Sequence, residues 1–437
     1  MKEIQKPDKN LIKILPKVKL SAEIKYIPSR YVIAFDHNGK NYLFNNLTKH
    51  IVEGTLPSSA KAGEGYDDLI MAMFLVPEEK DECLYYNSIS ILMRTFSHKK
   101  GIRSYTILPT LGCNARCIYC YEEGLKQVTM TPEIVEQTIK YIIDTHEKGD
   151  VKLAWFGGEP LLGEKTIDRI CEGLVSAGLN YTSTMISNGS LITPELIDKM
   201  KDKWNLKRIQ ISMDGYESDY KYRKNYYEYQ DYYHRVMESI SQLSEKGIHV
   251  SILCNVDENN WEDIPRFVDD IKTYITCKDN VGIYFAPLND VRMGSNDLTM
   301  WKKILDAYDL LDFSGFRYGR FKGFSLKFRI NHCMADNEGI VISPDGTIYS
   351  CEHWSDKCKI GDIYHGITNE QIKKEFSRVD KTRDKCCACP FLPDCTSFAS
   401  CPVEDMHCRE VHELIVKHAL IKLLERNEEI SEEDIIC

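Results

Sequence analysis

Apolar and polar positions alternate in blocks through the middle of the chain. Six short apolar runs, Tyr105–Leu108, Lys152–Phe156, Thr182–Ile186, Arg208–Met213, Val250–Val256 and Gly282–Ala286, read as strands. Helical patterns fit between them, for example Thr131–His146 and Thr193–Lys203. Strands alternating with helices imply parallel strands joined by crossover helices. Six such units suffice for an open barrel, with reactive groups at the C-terminal ends of the strands. The first hundred residues are patterned differently. Tyr31–Phe35 and Tyr42–Phe44 flank Asn38-Gly39, which tolerates positive φ, so the segment reads as a β-hairpin. Leu47–Glu53 and Tyr66–Leu75 read as helices, with Pro77 ending the second, and Leu84–Phe96 is ambiguous between helix and strand. His412–Arg426 reads as an amphipathic closing helix.

Composition narrows this picture. The 437 residues allow two or three domains, and the hydrophobic and charged fractions are those of a globular chain. A net charge of -10 argues against a duplex-binding surface, so no nucleic-acid partner is expected. No apolar run is long enough to span a bilayer, and the first ten residues lack the apolar core of a signal peptide. A cytoplasmic protein with no membrane partner is the expectation.

Seventeen cysteines are many for such a chain, and they are clustered: three within 113–120 and nine within 333–408. Disulfides seldom persist in a reducing compartment, so the clusters point to metal ligation. Cys83, Cys171, Cys254, Cys277 and Cys437 stand apart and read as small buried residues. In the first cluster Cys113, Cys117 and Cys120 follow the first barrel strand with gaps of three and two residues. Three thiolates on one loop hold three irons of a 4Fe-4S cluster and leave the fourth iron open. Structural zinc takes four ligands, commonly in two pairs, and fits this spacing poorly.

The CxxxCxxC spacing, with Tyr119 before the last cysteine, resembles the radical S-adenosylmethionine (SAM) signature. Further segments extend the resemblance at successive strand ends. Phe156-Gly157-Gly158-Glu159-Pro160 looks like the family's GGEP motif, Ser187-Asn188-Gly189 ends the third strand, and Ser212 ends the fourth. The resemblance implies that Gly157, Gly158, Glu159 and Pro160 bind the SAM amino group, and that Ser187, Asn188 and Ser212 hold its ribose and methionyl portion. It gives Arg223 to the SAM carboxylate, although the family usually spaces this arginine one residue further from Asp214-Gly215. Ile283–Leu288 is expected to wall the adenine.

The second region resembles the SPASM extension of peptide-modifying radical SAM enzymes. Gly346 and Cys351 fit GxxxxC, and Cys386, Cys389 and Cys395 have the expected spacing, but five residues rather than three separate Cys395 from Cys401. By resemblance Cys386, Cys389, Cys395 and Cys408 hold one auxiliary cluster, and Cys333, Cys351 and Cys401 another. Its fourth ligand is left between Cys358, Cys387 and an open site, and Cys401 and Cys408 can exchange roles. CxxC pairs also occur in zinc modules.

The expected fold is therefore α/β: a partial (β/α)6 radical SAM barrel over 101–310, an N-terminal α+β winged-helix-like peptide-recognition module over 1–100, and a cysteine-rich SPASM domain over 311–437. The layout is similar to maturases of ribosomally made peptides, nearest to the streptide-type cyclase that joins a lysine side-chain carbon to a tryptophan ring carbon. That resemblance implies three 4Fe-4S clusters, SAM, a precursor peptide with a leader, and a reducing partner such as flavodoxin or ferredoxin. It implies a 5′-deoxyadenosyl radical that removes a hydrogen from an unactivated carbon. Thioether formation and formylglycine generation on a sulfatase are the alternative chemistries. A zinc-ribbon binding protein and an iron–sulfur electron carrier are the competing classes. No residue stands out as general base. Eight tyrosines crowd residues 216–233, suited either to a peptide channel or to packing between helices.

Overall fold

The computed structural model describes residues 2–97, 102, 104–120, 124, 126–147, 149–228, 231–288, 298–312, 316–318, 326–328, 334, 339–352, 356–376, 382, 384–394 and 409–426. The chain divides into two compact units, one of residues 1–99, 321–333 and 378–437, the other of 100–320 and 334–377. The stretch expected as a single domain, 311–437, is thus shared between them.

In the first unit, strands β1 (Lys2–Gln5), β3 (Val32–His37), β4 (Lys40–Asn45) and β5 (His50–Glu53) form an antiparallel sheet in the order β1-β5-β4-β3. A separate pair joins β2 (Tyr26–Pro28) to β6 (Leu75–Pro77). The helices are α1 (Lys9–Ile14), α2 (Asp67–Met71) and α3 (Glu82–Ser97). The hairpin turn falls at Asn38 and Gly39, with φ of 49° and 73°, as expected. The segment expected as a helix at Leu47–Glu53 is instead a turn and a strand. The Asn45 carboxamide accepts the N–H groups of Leu47 and Thr48, and Lys49 takes a φ of 62°, so the chain reverses before any helical turn closes. Ile51 and Val52, both β-branched, then bury opposite faces of β5. Lys49 is sealed inside the unit, its ammonium 2.7 Å from the Asp394 carboxylate and 2.7 Å from the Asn46 carboxamide. The Tyr66–Leu75 expectation also shortens: Met73 turns through a positive φ, and Leu75 enters β6. The ambiguous Leu84–Phe96 lies in α3.

In the second unit the strands β7 (Ser104–Ile107), β8 (Val151–Trp155), β9 (Tyr181–Ser187), β10 (Leu206–Ser212), β11 (His249–Val256) and β12 (Val281–Pro287) pair successively, all parallel. Their positions match the six expected runs. Helices α4 (Pro132–Thr145), α5 (Glu164–Ser176), α6 (Pro194–Asp202), α7 (Glu217–Lys224), α8 (Tyr232–Glu245), α9 (Ile264–Tyr274) and α10 (Leu298–Asp312) complete the alternation. Thr131 and Thr193 cap α4 and α6 through side-chain acceptors, each with proline at the first helical position. β13 (Arg317–Tyr318) adds parallel to β12.

The sheet does not stop at β7. β14 (Gly339–Ile342) runs parallel beside it, followed antiparallel by β15 (Thr347–Tyr349), β16 (Lys359–Asp362) and β17 (Gly366–Ile367). This pairing explains why 334–377 belongs with the second unit: its four strands continue the parallel sheet's own hydrogen-bond ladder. Among the described residues no helix is long and apolar enough to cross a membrane.

Candidate active site at the cysteine loop

β7 ends at Ile107, and the chain then crosses the C-terminal ends of its neighbours carrying Cys113, Cys117 and Cys120, all half-buried thiols. Three neighbouring segments fix this loop. The first is Gly157-Gly158. A Cβ on Gly157 would lie 2.4 Å from the Thr110 carbonyl oxygen, and one on Gly158 would lie 2.4 Å from that of Gly112. The space expected to admit a ligand is therefore filled by the cysteine loop itself. Backbone bonds lock the contact, from Gly158 N–H to Thr110 O at 3.2 Å and from Glu159 N–H to Gly112 O at 2.8 Å.

The second is the Glu159 carboxylate, which is wholly buried. One oxygen accepts from the Ser187 hydroxyl at 2.8 Å and from Leu161 N–H, and the other from Asn188 N–H at 2.8 Å. Burial raises its pKa, and these donors work against that rise. Glu159 thereby ties the end of β8 to the end of β9. Asn188 passes the tie on: its amide donates to the Asn114 side chain at 2.9 Å, and Asn114 donates to Ser190.

The third is the end of α7. Asn225 caps it with a φ of 44°, and the chain beyond runs beside the cysteine loop. Arg116 N–H donates to the Lys224 and Asn225 carbonyls, Ile118 N–H to that of Arg223, and Tyr227 N–H to that of Asn114. The Arg116 guanidinium stacks over the Tyr227 ring.

Two buried cations stand at the floor. The Lys224 ammonium is 2.9 Å from the Asp214 carboxylate, 2.8 Å from the Ser212 hydroxyl and 3.0 Å from the Tyr119 hydroxyl. Burial works against its charge, and Asp214 together with Tyr119, Cys117 and Tyr226 more than offsets this, so its pKa lies well above the usual lysine value. The Tyr119 hydroxyl also donates to Asp214, and burial raises its pKa. Arg223 binds both Asp257 oxygens through Nη1, at 3.0 and 2.9 Å. Its Nε and Nη2 are buried without a hydrogen-bond partner among the described residues. Buried guanidinium donors rarely go unpaired, so these two fit an anionic ligand group.

The residues expected around SAM are thus gathered at the ends of β8, β9 and β10: Gly157, Gly158, Glu159, Pro160, Ser187, Asn188, Ser212, Arg223 and Tyr119. Lys224, Asp214 and Asn114 were not singled out from the sequence. The first occupies the spacing at which the family usually carries its arginine, which was the available signal. The donor set fits an iron–sulfur cluster. Burial pushes the Cys113 thiol up to about 11, so metal binding there must release its proton.

The remaining cysteines divide between the units. In the second unit Gly346, with φ of 83°, turns β14 into β15, and Cys351 follows β15 as a half-buried thiol. The Ser350 N–H donates to the carbonyl of Cys358, whose thiol is buried. In the first unit Cys386 and Cys389 share one tight turn, closed by Cys389 N–H on the Cys386 carbonyl at 3.0 Å. Cys387, one of the candidates for a fourth ligand, is disulfide-bonded to Cys83, so Cys83 is buried as expected but paired. Sequence separation of 304 residues hid the pair. Cys333, Cys395, Cys401 and Cys408 lie outside the described residues. Of the crowded tyrosines, Tyr220, Tyr232 and Tyr233 are buried, whereas Tyr222 and Tyr227 are exposed. Tyr220 and Tyr226 bond hydroxyl to hydroxyl at 2.7 Å. The packing role accounts for the buried ones, and Tyr229 lies outside the described residues.

A profile of the radical SAM superfamily matches residues 107–271. The radical SAM cyclopropyl synthase TigE of Paramaledivibacter caminithermalis is 21% identical over 372 residues, 76% of each chain. Among solved structures, anSMEcpe with bound AdoMet superposes with a TM-score of 0.59 at 18% identity, covering 76% of this chain and 97% of the other. SuiB of Streptococcus suis bound to precursor peptide SuiA gives 0.52 at 13% identity, covering 89% and 99%. At these identities the two structures share the fold.

Proposed function

This chain is a radical SAM enzyme, and from that premise we propose that it matures a ribosomally synthesised peptide, forming an intramolecular carbon–carbon crosslink between lysine and tryptophan side chains. The observation that carries the reading is the joint presence of the clasped three-cysteine loop and a separate antiparallel-sheet unit that also holds the Cys386/Cys389 turn. The SuiB structure, which covers most of this chain, is of a complex with a precursor peptide, and this supports a peptide substrate here.

When bound, a 4Fe-4S cluster and SAM supply a one-electron reductive cleavage that yields a carbon radical able to take hydrogen from unactivated C–H bonds. The chain's own part is positional. Cys113, Cys117 and Cys120 would hold three irons, and Asn188 and Glu159 keep their loop against the strand ends. Arg223 Nε and Nη2 would take the SAM carboxylate. Lys224, neutralised by Asp214, holds the Tyr119 hydroxyl and so fixes the aromatic ring beside the third cysteine. Pro160, Ser187 and Ser212 would complete the SAM pocket, and Gly157 and Gly158 make room for the cysteine loop. Cys351, with Cys333 and Cys401, and Cys386 and Cys389, with Cys395 and Cys408, would hold two auxiliary clusters. These would take up the electron that leaves when the new bond is made. A flavodoxin or ferredoxin would supply the first electron.

A second reading follows from TigE, a radical SAM cyclopropyl synthase similar over 76% of this chain: closure of a cyclopropyl ring. Both chemistries remove two hydrogens. Incubation of the anaerobically reconstituted protein with SAM, a reductant and a synthetic peptide containing lysine and tryptophan tests them. Loss of two hydrogens, with fragmentation silent between the two residues, supports the crosslink. The same loss with normal fragmentation between them favours ring closure, and a peptide unchanged while SAM is cleaved counts against the crosslink.

A further inference from the structure

Arg223 stands in the last turn of α7, almost wholly buried, and uses its guanidinium unevenly. A guanidinium offers a carboxylate two paired edges, Nη1 with Nη2 at its end and Nε with Nη2 along its side. The Asp257 carboxylate takes neither pair. Both of its oxygens accept from Nη1 alone, at 3.0 and 2.9 Å. Nε and Nη2 are buried without a hydrogen-bond partner among the described residues, so the side edge is left whole. The Asp219 carboxyl feels the charge of Arg223, yet its buried Oδ2 has no hydrogen-bond partner among the described residues either.

Asp257 is fixed by its own loop, just after β11. Its Oδ1 accepts from Asn259 N–H at 2.9 Å, and its own N–H donates to the Asn260 carboxamide oxygen at 2.9 Å. Buried Asn260 ties this loop to the end of β10, donating through Nδ2 to the Asp214 carbonyl at 2.9 Å and to that of Asn255 at 2.8 Å. Asn255 Nδ2 donates in turn to Asp214 Oδ1 at 2.9 Å. The Arg223 backbone is held separately, its carbonyl accepting from Ile118 N–H of the cysteine loop at 3.0 Å. The guanidinium is thus set between two fixed points before any ligand arrives, which is what preorganised recognition of an anion requires.

We propose that Asp257 is a positioning residue for SAM: by holding Nη1 it presents the Nε/Nη2 edge of Arg223 to both oxygens of the ligand's α-carboxylate. The inference rests on the radical SAM reading and on the assignment of Arg223 to that carboxylate. Charge and geometry make opposite demands on Asp257. A carboxylate beside the guanidinium repels a second carboxylate, so by charge alone its removal would tighten the binding of an anion. By aim, its removal releases a long side chain to other rotamers, and SAM binding weakens. Hydrogen bonds to charged groups contribute enough to affinity for the second effect to win.

The test is anaerobic equilibrium binding of SAM and of decarboxylated SAM, which lacks the α-carboxylate, to the reconstituted full chain and its Asp257→Ala and Asp257→Asn variants. Asp257→Ala should bind SAM at least about tenfold more weakly, with decarboxylated SAM unchanged within about twofold. Asp257→Asn keeps an oxygen for Nη1 without the charge and should recover part of the loss. A merely structural role would weaken both ligands alike. Equal losses for the two ligands, a preference for SAM that persists in Asp257→Ala, or tighter SAM binding in either variant would overturn the proposal. If Asp257→Ala does not fold, Asp257→Asn decides in its place, with SAM bound at least about threefold more weakly and decarboxylated SAM unchanged. Reductive SAM cleavage by the wild type is measured in parallel. Its absence removes the radical reading and this inference with it. Equal wild-type affinity for the two ligands removes the assignment of Arg223 as well, whereas a preference kept in Asp257→Ala removes this inference alone.

Discussion

The pair that most constrains the site is Lys224 and Asp214, both sealed from solvent at 2.9 Å. Two buried charges gain little net stability over apolar residues, but removing one partner strands the other. Lys224→Met should therefore destabilise the second unit by about 3–5 kcal/mol. Adding Asp214→Asn should recover part of that loss, as read by denaturant unfolding of all three proteins. No recovery in the double variant would contradict the pairing. Asp219 offers a test with pH. Burial, then repulsion by Asp263, pushes its carboxyl up to about 6, and its Oδ2 is buried without a hydrogen-bond partner among the described residues. Because the folded pKa lies above the unfolded value, the native state holds this proton more tightly. Stability is lost as pH rises from the unfolded value near 3.8 through about 6. Asp219→Asn should raise the melting temperature above pH 7, and the gain should vanish as pH falls through that window. A gain independent of pH would exclude titration of Asp219 as the cause.

At the scale of elements, the cysteine loop is held by backbone that tolerates no side chain. Gly158→Ala places a methyl 2.4 Å from the Gly112 carbonyl, so loop or turn must move. Reconstituted Gly158→Ala should lose about four irons per chain and bind SAM at least about tenfold more weakly, with the fold otherwise intact by circular dichroism. Full iron loading would show that the loop is not positioned this way. The parallel-strand elements of the second unit were legible because their apolar runs are short and spaced by capped helices such as α4. The N-terminal module was harder to read. Ile51-Val52 suits a short strand and a short helix equally, and the deciding feature was the Asn45 side chain bonding two residues ahead. Period alone does not carry that information.

For the whole molecule, the sequence announced the three-cysteine loop and its strand-end companions because each lies next to a strand terminus in order. It did not announce that 339–367 continues the parallel sheet, since the parallel partner of β14 is β7, more than two hundred residues earlier. Nor did it show that Lys224 shares the floor with Arg223, or that Cys83 reaches Cys387. Long-range partners are set by topology, and local pattern is blind to them.

Cys113, Cys117 and Cys120 are proposed to hold the cluster that cleaves SAM. The direct measurement is anaerobic iron and sulfide content together with 5′-deoxyadenosine formation, on the wild type and on the Cys113→Ala/Cys117→Ala/Cys120→Ala variant. The wild type should carry about twelve irons and produce deoxyadenosine, and the variant should carry about eight irons and produce none. Zinc in place of iron, or SAM cleavage that survives in the variant, would contradict it.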